Sequence, residues 1–301
     1  MDKKSFLKAI SDKNIVIKEG VCLKELTSFK IGGNAEFFAE VKTAEEVAFC
    51  ICKAKEYNQP LFVLGKGSNL LVSDKGIKGL VLDTSGLDSV RFEGETVICG
   101  AGLHLQKLCT LASNKELSGL EFAFGIPGSV GGAVYMNAGA YGGEIADCIS
   151  WAKCIDKSGN TVTLNKEQME LGYRTSIFKK EALIITEVSF LLHKGKKDEI
   201  NAKMADFMGR RRDKQPLEFP SAGSTFKRPE GHFAGALIEK NGLKGKSVGG
   251  AKVSEKHAGF VINFQNAKSE DVKALIKEIQ EIVKKNDGVN LETEVIFVGE
   301  E

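Results

Sequence analysis

The 301-residue sequence has no apolar run near the 18 or more residues that would span a bilayer. Its opening stretch, MDKKSFLKAISDKNIVIKEG, lacks a hydrophobic core of signal-peptide length, so a cytoplasmic protein away from membranes is expected. Charge of one sign is also missing. The 42 Lys and Arg stand against 40 Asp and Glu, a formal +2, which leaves no global field to draw the chain to nucleic acid. There is no CxxC pair among the seven cysteines (Cys22, Cys50, Cys52, Cys99, Cys109, Cys148, Cys154), and their odd, scattered placement predicts free buried thiols in a reducing compartment. Cys50 and Cys52 fall in a helix-like segment, where residues two apart point to different faces. His104, His193, His232 and His257 stand alone, without HExxH or comparable spacing, so no metal site is expected. Internal repeats and low-complexity tracts are absent too.

What is present suits a soluble globular protein of about two domains, with 42% hydrophobic and 27% charged residues. A short N-terminal helix is followed by LTSFKIGGNAEFFAEV. Thr43, with Glu46 three residues on, predicts a capping box opening a helix to about Tyr57. PLFVLG has the length and composition of a strand. Residues 79–101 contain short strands, and HLQKLCTLASNKEL predicts a helix with Leu105, Leu108, Leu111 and Ala112 on one face. SWAKCIDKSGNTVTLN predicts a hairpin turning at Ser158, Gly159 and Asn160, and LIITEVSFLL a further strand. From Lys194 a charged helix is expected that stops before Pro216. A loop-rich stretch over 217–266 follows. A helix capped by Ser269 then carries Val272, Leu275, Ile276, Ile279, Ile282 and Val283, and the strand VNLETEVIFV ends the chain.

Two glycine-rich stretches point to chemistry. VLGKGSNLLVSD, residues 63–74, follows a strand and can turn its backbone N–H groups toward a phosphate. It is no P-loop, because Gly67 follows Lys66 where Ser or Thr would stand. It is no Rossmann fingerprint either: Leu70 occupies the third glycine position and LLVSD predicts a strand instead of a helix. A plain turn explains the spacing equally well. In GLEFAFGIPGSVGGAVYMNAGAYGG, residues 119–143, eight of 25 positions are glycine and Glu121 is the only acid or base apart from two tyrosines. Gly131, Gly132, Ala133 and Ala138 leave no bulk against a flat ligand, while Ser129 and Asn137 can hydrogen-bond it. A tight backbone crossing in a core is the alternative. Two such loops in one strand-rich domain suggest a dinucleotide held without a Rossmann fold.

Seven blocks in order, TSFKIGG (27–33), GKGSNLL (65–71), GIPGSVGGAVYMNAGAYGGE (125–144), YRTSIF (173–178), RRRDKQP (210–216), SAGSTFKRP (221–229) and ETEV (292–295), make the chain similar to the UDP-N-acetylenolpyruvoylglucosamine reductases over almost its whole length. The resemblance implies an α+β architecture: a two-part FAD-binding domain of the vanillyl-alcohol-oxidase-like (PCMH) type and a smaller α+β substrate-binding domain. On that pattern residues 1–195 form the FAD domain, in subdomains of about 1–58 and 59–195. The strand at 288–301 returns to it, and 196–287 bind the substrate. FAD would be held non-covalently. Gly65, Lys66, Gly67, Ser68, Asn69 and Leu70 would meet its pyrophosphate. Gly125, Ile126, Pro127, Gly128, Ser129, Gly131 and Gly132, with Asn137, Ala138 and Gly139, would line its ring and ribityl chain.

The reaction implied is reduction of UDP-N-acetylglucosamine enolpyruvate to UDP-N-acetylmuramate in peptidoglycan precursor synthesis. Hydride passes from NADPH by way of the flavin to the β-carbon, and a proton is then added at the α-carbon. Negative charge builds beside a carboxylate in that step, so the site needs a cation and an acid. By the family pattern Arg174 is the electrostatic clamp, Ser224 the proton donor, and Glu294 a partner that helps if protonated or paired. Tyr173 would contact the substrate, and Arg211, Lys214 and Lys227 would bind the UDP pyrophosphate and NADPH phosphates by charge, although a solvated helix face also accounts for RRRDK. Arg228 stands where the better-known branch has asparagine, and the inserted loop beyond the YR motif is missing, so the chain resembles the shorter second type. A monomer is expected. The competing reading is another FAD-dependent oxidoreductase, an alcohol or hydroxyacid oxidase, on the same scaffold.

Overall fold

The computed structural model describes residues 3–300, which form two compact units. The first comprises the described residues through Glu19, then Phe37–Lys66 and Gly79–Arg210; the second comprises Gly20–Glu36, Gly67–Lys78 and the chain from Arg211 onward. Each has its own apolar core.

The first unit is built on a five-stranded antiparallel sheet in the order Thr161–Asn165, Ile149–Ile155, Ile184–Leu191, Thr96–Gly100, Val90–Glu93. Its central strand, IITEVSFL, is buried at every position but Glu187 and Leu191 and so shows a near-continuous apolar run. The expected hairpin forms, its turn fixed by the Asp156 carboxylate, which accepts the N–H groups of Ser158 and Asn160. Helix Lys3–Ser11 buries Phe6 and Ile10, with Phe6 edge-on to Phe37. Helix Ala44–Glu56 begins at Thr43, whose Oγ1 accepts Glu46 N–H, while the Glu46 carboxylate reaches back to Lys42 N–H, one residue beyond the capping-box partner. Helix Leu105–Asn114 buries Leu105, Leu108, Cys109 and Ala112; Leu111, expected on that face, lies at its edge and is half-buried. Helix Lys197–Lys214 stops before Pro216 as expected.

In the second unit, helix Ser269–Asp287 buries Val272, Leu275, Ile276, Ile279 and Val283. Lys268, not Ser269, is its N-cap. Ser269 is the first helical residue, and its Oγ both donates to Asp74 Oδ2 and accepts Asp74 N–H, while the Asp271 carboxylate accepts Lys268 N–H. The stretch expected to be loop-rich contains helix Ala234–Lys240 and a small antiparallel sheet of Ser247–Val248, Ala251–Val253 and Val261–Asn263. The terminal strand is shorter than expected. Only Ile296–Val298 is regular, and it pairs in parallel with Leu70–Val72. Two of the seven free cysteines, Cys22 and Cys52, are exposed; burial pushes the Cys50 and Cys154 thiols up to about 12. No helix among the described residues is long and apolar enough to cross a membrane.

Candidate active site

In the first unit the two glycine-rich stretches touch. A Cβ on Gly65 would lie 2.6 Å from Ser129 Oγ, so only glycine lets the end of strand Leu61–Leu64 approach the second loop this closely. Ser129 is buried, and its Oγ accepts Gly132 N–H at 3.3 Å as the N-cap of helix Val130–Tyr135. Residues 101–104, which the sequence did not single out, complete this corner. Gly131 N–H donates to Ala101 O, Val130 N–H to Leu103 O and Leu105 N–H to Gly128 O. His104 forms a bridge with Ser129, and burial, then nearby Lys66 and Lys107, holds its imidazole below the ordinary pKa. The GAG at 100–102, at the end of strand Thr96–Gly100, was the available sequence signal.

Two of the residues expected to meet a ligand also have roles within the protein. A Cβ on Gly131 would meet Ala101 Cβ at 2.9 Å, so this glycine serves a backbone crossing, whereas at Gly132 the nearest atom is Ser129 Oγ at 3.3 Å. Asn137, expected to bond a ligand, is buried with φ +41°. Its amide is engaged by protein, Nδ2 donating to Gly172 O at 3.1 Å and Oδ1 accepting Ala146 N–H at 2.9 Å.

Those bonds locate Arg174. Residues 172–175 form a tight turn, Gly172 and Thr175 exchanging two backbone hydrogen bonds. Asn137 grips its near end, and buried Ser176 donates to Tyr135 O at 2.7 Å at the other. The turn holds Arg174 at φ +54°, its Nη2 3.4 Å from Gly139 O and its guanidinium 5.2 Å from the centre of the exposed Tyr173 ring. Arg174, Tyr173 and the 137–139 loop are thus one cluster.

In the second unit the segment at 224–227 runs antiparallel to 292–294. Glu294 N–H donates to Thr225 O, Lys227 N–H to Glu292 O, and Phe226 bridges Thr293. Exposed Ser224 and half-buried Glu294 therefore lie on neighbouring positions of paired strands. Asn69 Nδ2 donates to Glu294 O at 3.1 Å, and Asn69 O accepts Ile296 N–H, which brings the end of the GKGSNLL block to Glu294. Gly67, at φ +57°, could take no side chain, because Leu26 O would lie 2.5 Å from its Cβ. Lys227 is engaged in an ion pair with Glu292 at 2.9 Å. Arg211 and Lys214 occupy the last turn of helix Lys197–Lys214.

The loops at 65–66 and 125–132 offer a glycine-lined surface of half-exposed backbone with Lys66 as its one charge, which fits a dinucleotide carrying a flat ring and a pyrophosphate. Residues 35–165 match the family described as FAD binding domain, and a solved berberine bridge enzyme variant shares the fold (TM-score 0.51, 14% identity, covering 64% of this chain and 44% of that one). The class is therefore that of the FAD-binding flavoproteins with a PCMH-type domain.

Within that class, residues 215–298 match UDP-N-acetylenolpyruvoylglucosamine reductase, C-terminal domain. The reductase of Lachnoclostridium phytofermentans is 52% identical over 297 residues, 96% of each chain, and that of Clostridium botulinum 50% identical over 292 residues, covering 97% of this chain and 95% of its own. The crystal structure of the Thermus caldophilus enzyme superposes with a TM-score of 0.80 at 35% identity, covering 94% and 98%. The chain belongs to the UDP-N-acetylenolpyruvoylglucosamine reductase family, and its cofactor is FAD.

Proposed function

We propose that this FAD-dependent oxidoreductase reduces UDP-N-acetylglucosamine enolpyruvate to UDP-N-acetylmuramate with NADPH, in peptidoglycan precursor synthesis, and that Arg174, Ser224 and Glu294 carry the step. Bound FAD supplies the hydride, taken from NADPH, that adds to the β-carbon of the enolpyruvyl group. The chain's task is the charge and the proton. The planar guanidinium of Arg174 matches the substrate carboxylate and stabilises the enolate that forms as hydride arrives. Ser224 Oγ–H then protonates the α-carbon: a C–H bond forms, the O–H bond breaks, and the serine oxygen regains its proton from water. Glu294 supports this when it is protonated or paired with a cation, since a bare carboxylate would repel the enolate.

The observation that supports the assignment is the pairing of the two segments, Glu294 N–H to Thr225 O at 2.9 Å, which puts Glu294 opposite the residue next to Ser224. Residues 65–70, 125–132 and 137–139 are assigned to the cofactor, with Gly131 and Asn137 acting through the backbone they hold. Tyr173 is assigned to the substrate, and Arg211, Lys214 and Lys227 to phosphate groups, on charge and position. The enzyme is taken to be a cytoplasmic monomer, which sedimentation tests.

Ser224→Ala tests the assignment. Bleaching of the flavin by NADPH should be unchanged, while reoxidation by the enolpyruvyl substrate slows by the ~10²–10⁴ usual on losing a general acid. Ser224→Cys should recover part of that loss. Wild-type reoxidation in the alanine variant would remove Ser224 as donor.

A further inference from the structure

The Ser224 segment rests on a loop whose shape depends on one imidazole. Ser254, buried, opens the loop by accepting the N–H groups of Lys256 and His257 on its hydroxyl, and its own N–H donates to Phe260 O. Phe260 N–H returns to His257 O at 3.0 Å. Inside the loop His257 Nδ1 accepts Gly259 N–H at 3.1 Å, with the ring edge-on to Phe260. The imidazole fills a slot between two glycines: Cε1 lies 3.0 Å from where a Gly259 Cβ would be and 3.3 Å from where a Gly235 Cβ would be.

Gly259, pinned on its N–H side by His257, offers its C=O to Thr225 N–H at 2.9 Å. Val261 N–H donates to Thr225 Oγ1 at 2.9 Å, and Thr225 O accepts Glu294 N–H. Thr225 is the immediate neighbour of Ser224, which follows Gly223 at φ +78°. The path from imidazole to hydroxyl is therefore His257, Gly259, Thr225, Ser224.

A bond from Gly259 N–H to Nδ1 exists only while that nitrogen carries no proton, so the ring must be neutral with its proton on Nε2. Protonation would set N–H against N–H and release Gly259. Burial holds the His257 pKa below the ordinary imidazole value. Lys244 acts in the same direction and Glu239 of helix Ala234–Lys240 against it, and these two are paired with each other at 2.5 Å.

We propose that neutral His257 is a positioning residue for Ser224, fixing Gly259 and through Thr225 the alignment of the hydroxyl that protonates the substrate. It touches no reacting atom, and the inference rests on the role given to Ser224 above. The proton-transfer half-reaction then loses rate as acid protonates His257, while flavin reduction by NADPH does not follow the same limb.

The test is anaerobic stopped-flow of the FAD-loaded enzyme, each half-reaction followed across pH. His257→Ala should bleach normally with NADPH but reoxidise about 10- to 100-fold more slowly with the enolpyruvyl substrate, the range expected for a slightly misplaced catalytic group. His257→Asn places an amide oxygen where Nδ1 was, so it should reoxidise near the wild-type rate at neutral pH and lack the acid limb. An asparagine variant that keeps the wild-type limb overturns the proposal, as does an alanine variant that slows both half-reactions alike or neither. Should His257→Ala fail to fold, the asparagine pH profile decides alone. Ser224→Ala, run alongside, separates the two layers. If it reoxidises at the wild-type rate, the reading of Ser224 itself fails. If it is slow while His257→Ala is normal, only the positioning role is lost.

Discussion

Arg174 sits in a turn gripped by two buried side chains, Asn137 and Ser176, whereas Ser224 sits in a segment held through main-chain bonds to Gly259 and, by way of Thr225, to Glu294. A turn held by side chains can be loosened by one substitution, because each lost side chain removes a bond that ties the turn to the rest of the unit. A strand-like segment held by its backbone tolerates most changes of side chain and fails only where a side chain completes the frame, as Thr225 and His257 do. The two regions, both proposed as catalytic, should therefore respond differently to mutation.

The largest effect is expected at Asn137. Asn137→Ala leaves Ala146 N–H without its partner and removes one of the two donors to Gly172 O, and should cost about 2–4 kcal/mol in urea unfolding, roughly 1–3 kcal/mol for the orphaned group and about 1 kcal/mol for the second bond. Because the Arg174 turn loosens, substrate-driven reoxidation should slow as well. Unchanged stability would mean that Asn137 does not hold the turn.

Gly131→Val comes next. Its side chain would run into Ala101, and overpacking of this kind costs about 1–3 kcal/mol. The FAD-free protein should itself melt earlier; FAD loss with a normal melting temperature of the FAD-free protein would return Gly131 to the cofactor surface.

On the backbone-held side, Thr225→Val removes the acceptor of Val261 N–H and should cost about 1–2 kcal/mol, below the Asn137 effect. A larger loss than Asn137→Ala would invert the comparison. Smallest of all, Lys227→Ala breaks a solvent-exposed pair with Glu292 and should leave the melting temperature where it is, since such pairs contribute little. A rise in KM for the UDP-sugar would support Lys227 as a phosphate contact.

Regular elements were legible in the sequence because their periodicity is local: the Thr43 cap, the 105–114 helix and the hairpin at 156–160 follow from spacing and turn chemistry. Ser269 misled because its hydroxyl had a distant competitor, Asp74, which no local pattern reveals. Helix Ala234–Lys240 went unread because a helix of seven residues gives periodicity too few turns. At the site, the glycine loops stood out by composition, but which glycines face a ligand and which permit a backbone crossing is decided by residues such as Ala101 that lie far off in sequence. His257 carried no motif at all. Its role depends on Gly235 and Gly259 leaving room for the ring.

Electrons should run from NADPH through this chain to an enolpyruvyl UDP-sugar. Purified protein, made anaerobic, should bleach on addition of NADPH and regain its flavin absorbance on addition of UDP-N-acetylglucosamine enolpyruvate, one equivalent for one. Flavin that stays reduced with that substrate, yet recolours rapidly in oxygen after reduction by an alcohol or hydroxyacid, would make the chain an oxidase on the same scaffold and not a reductase.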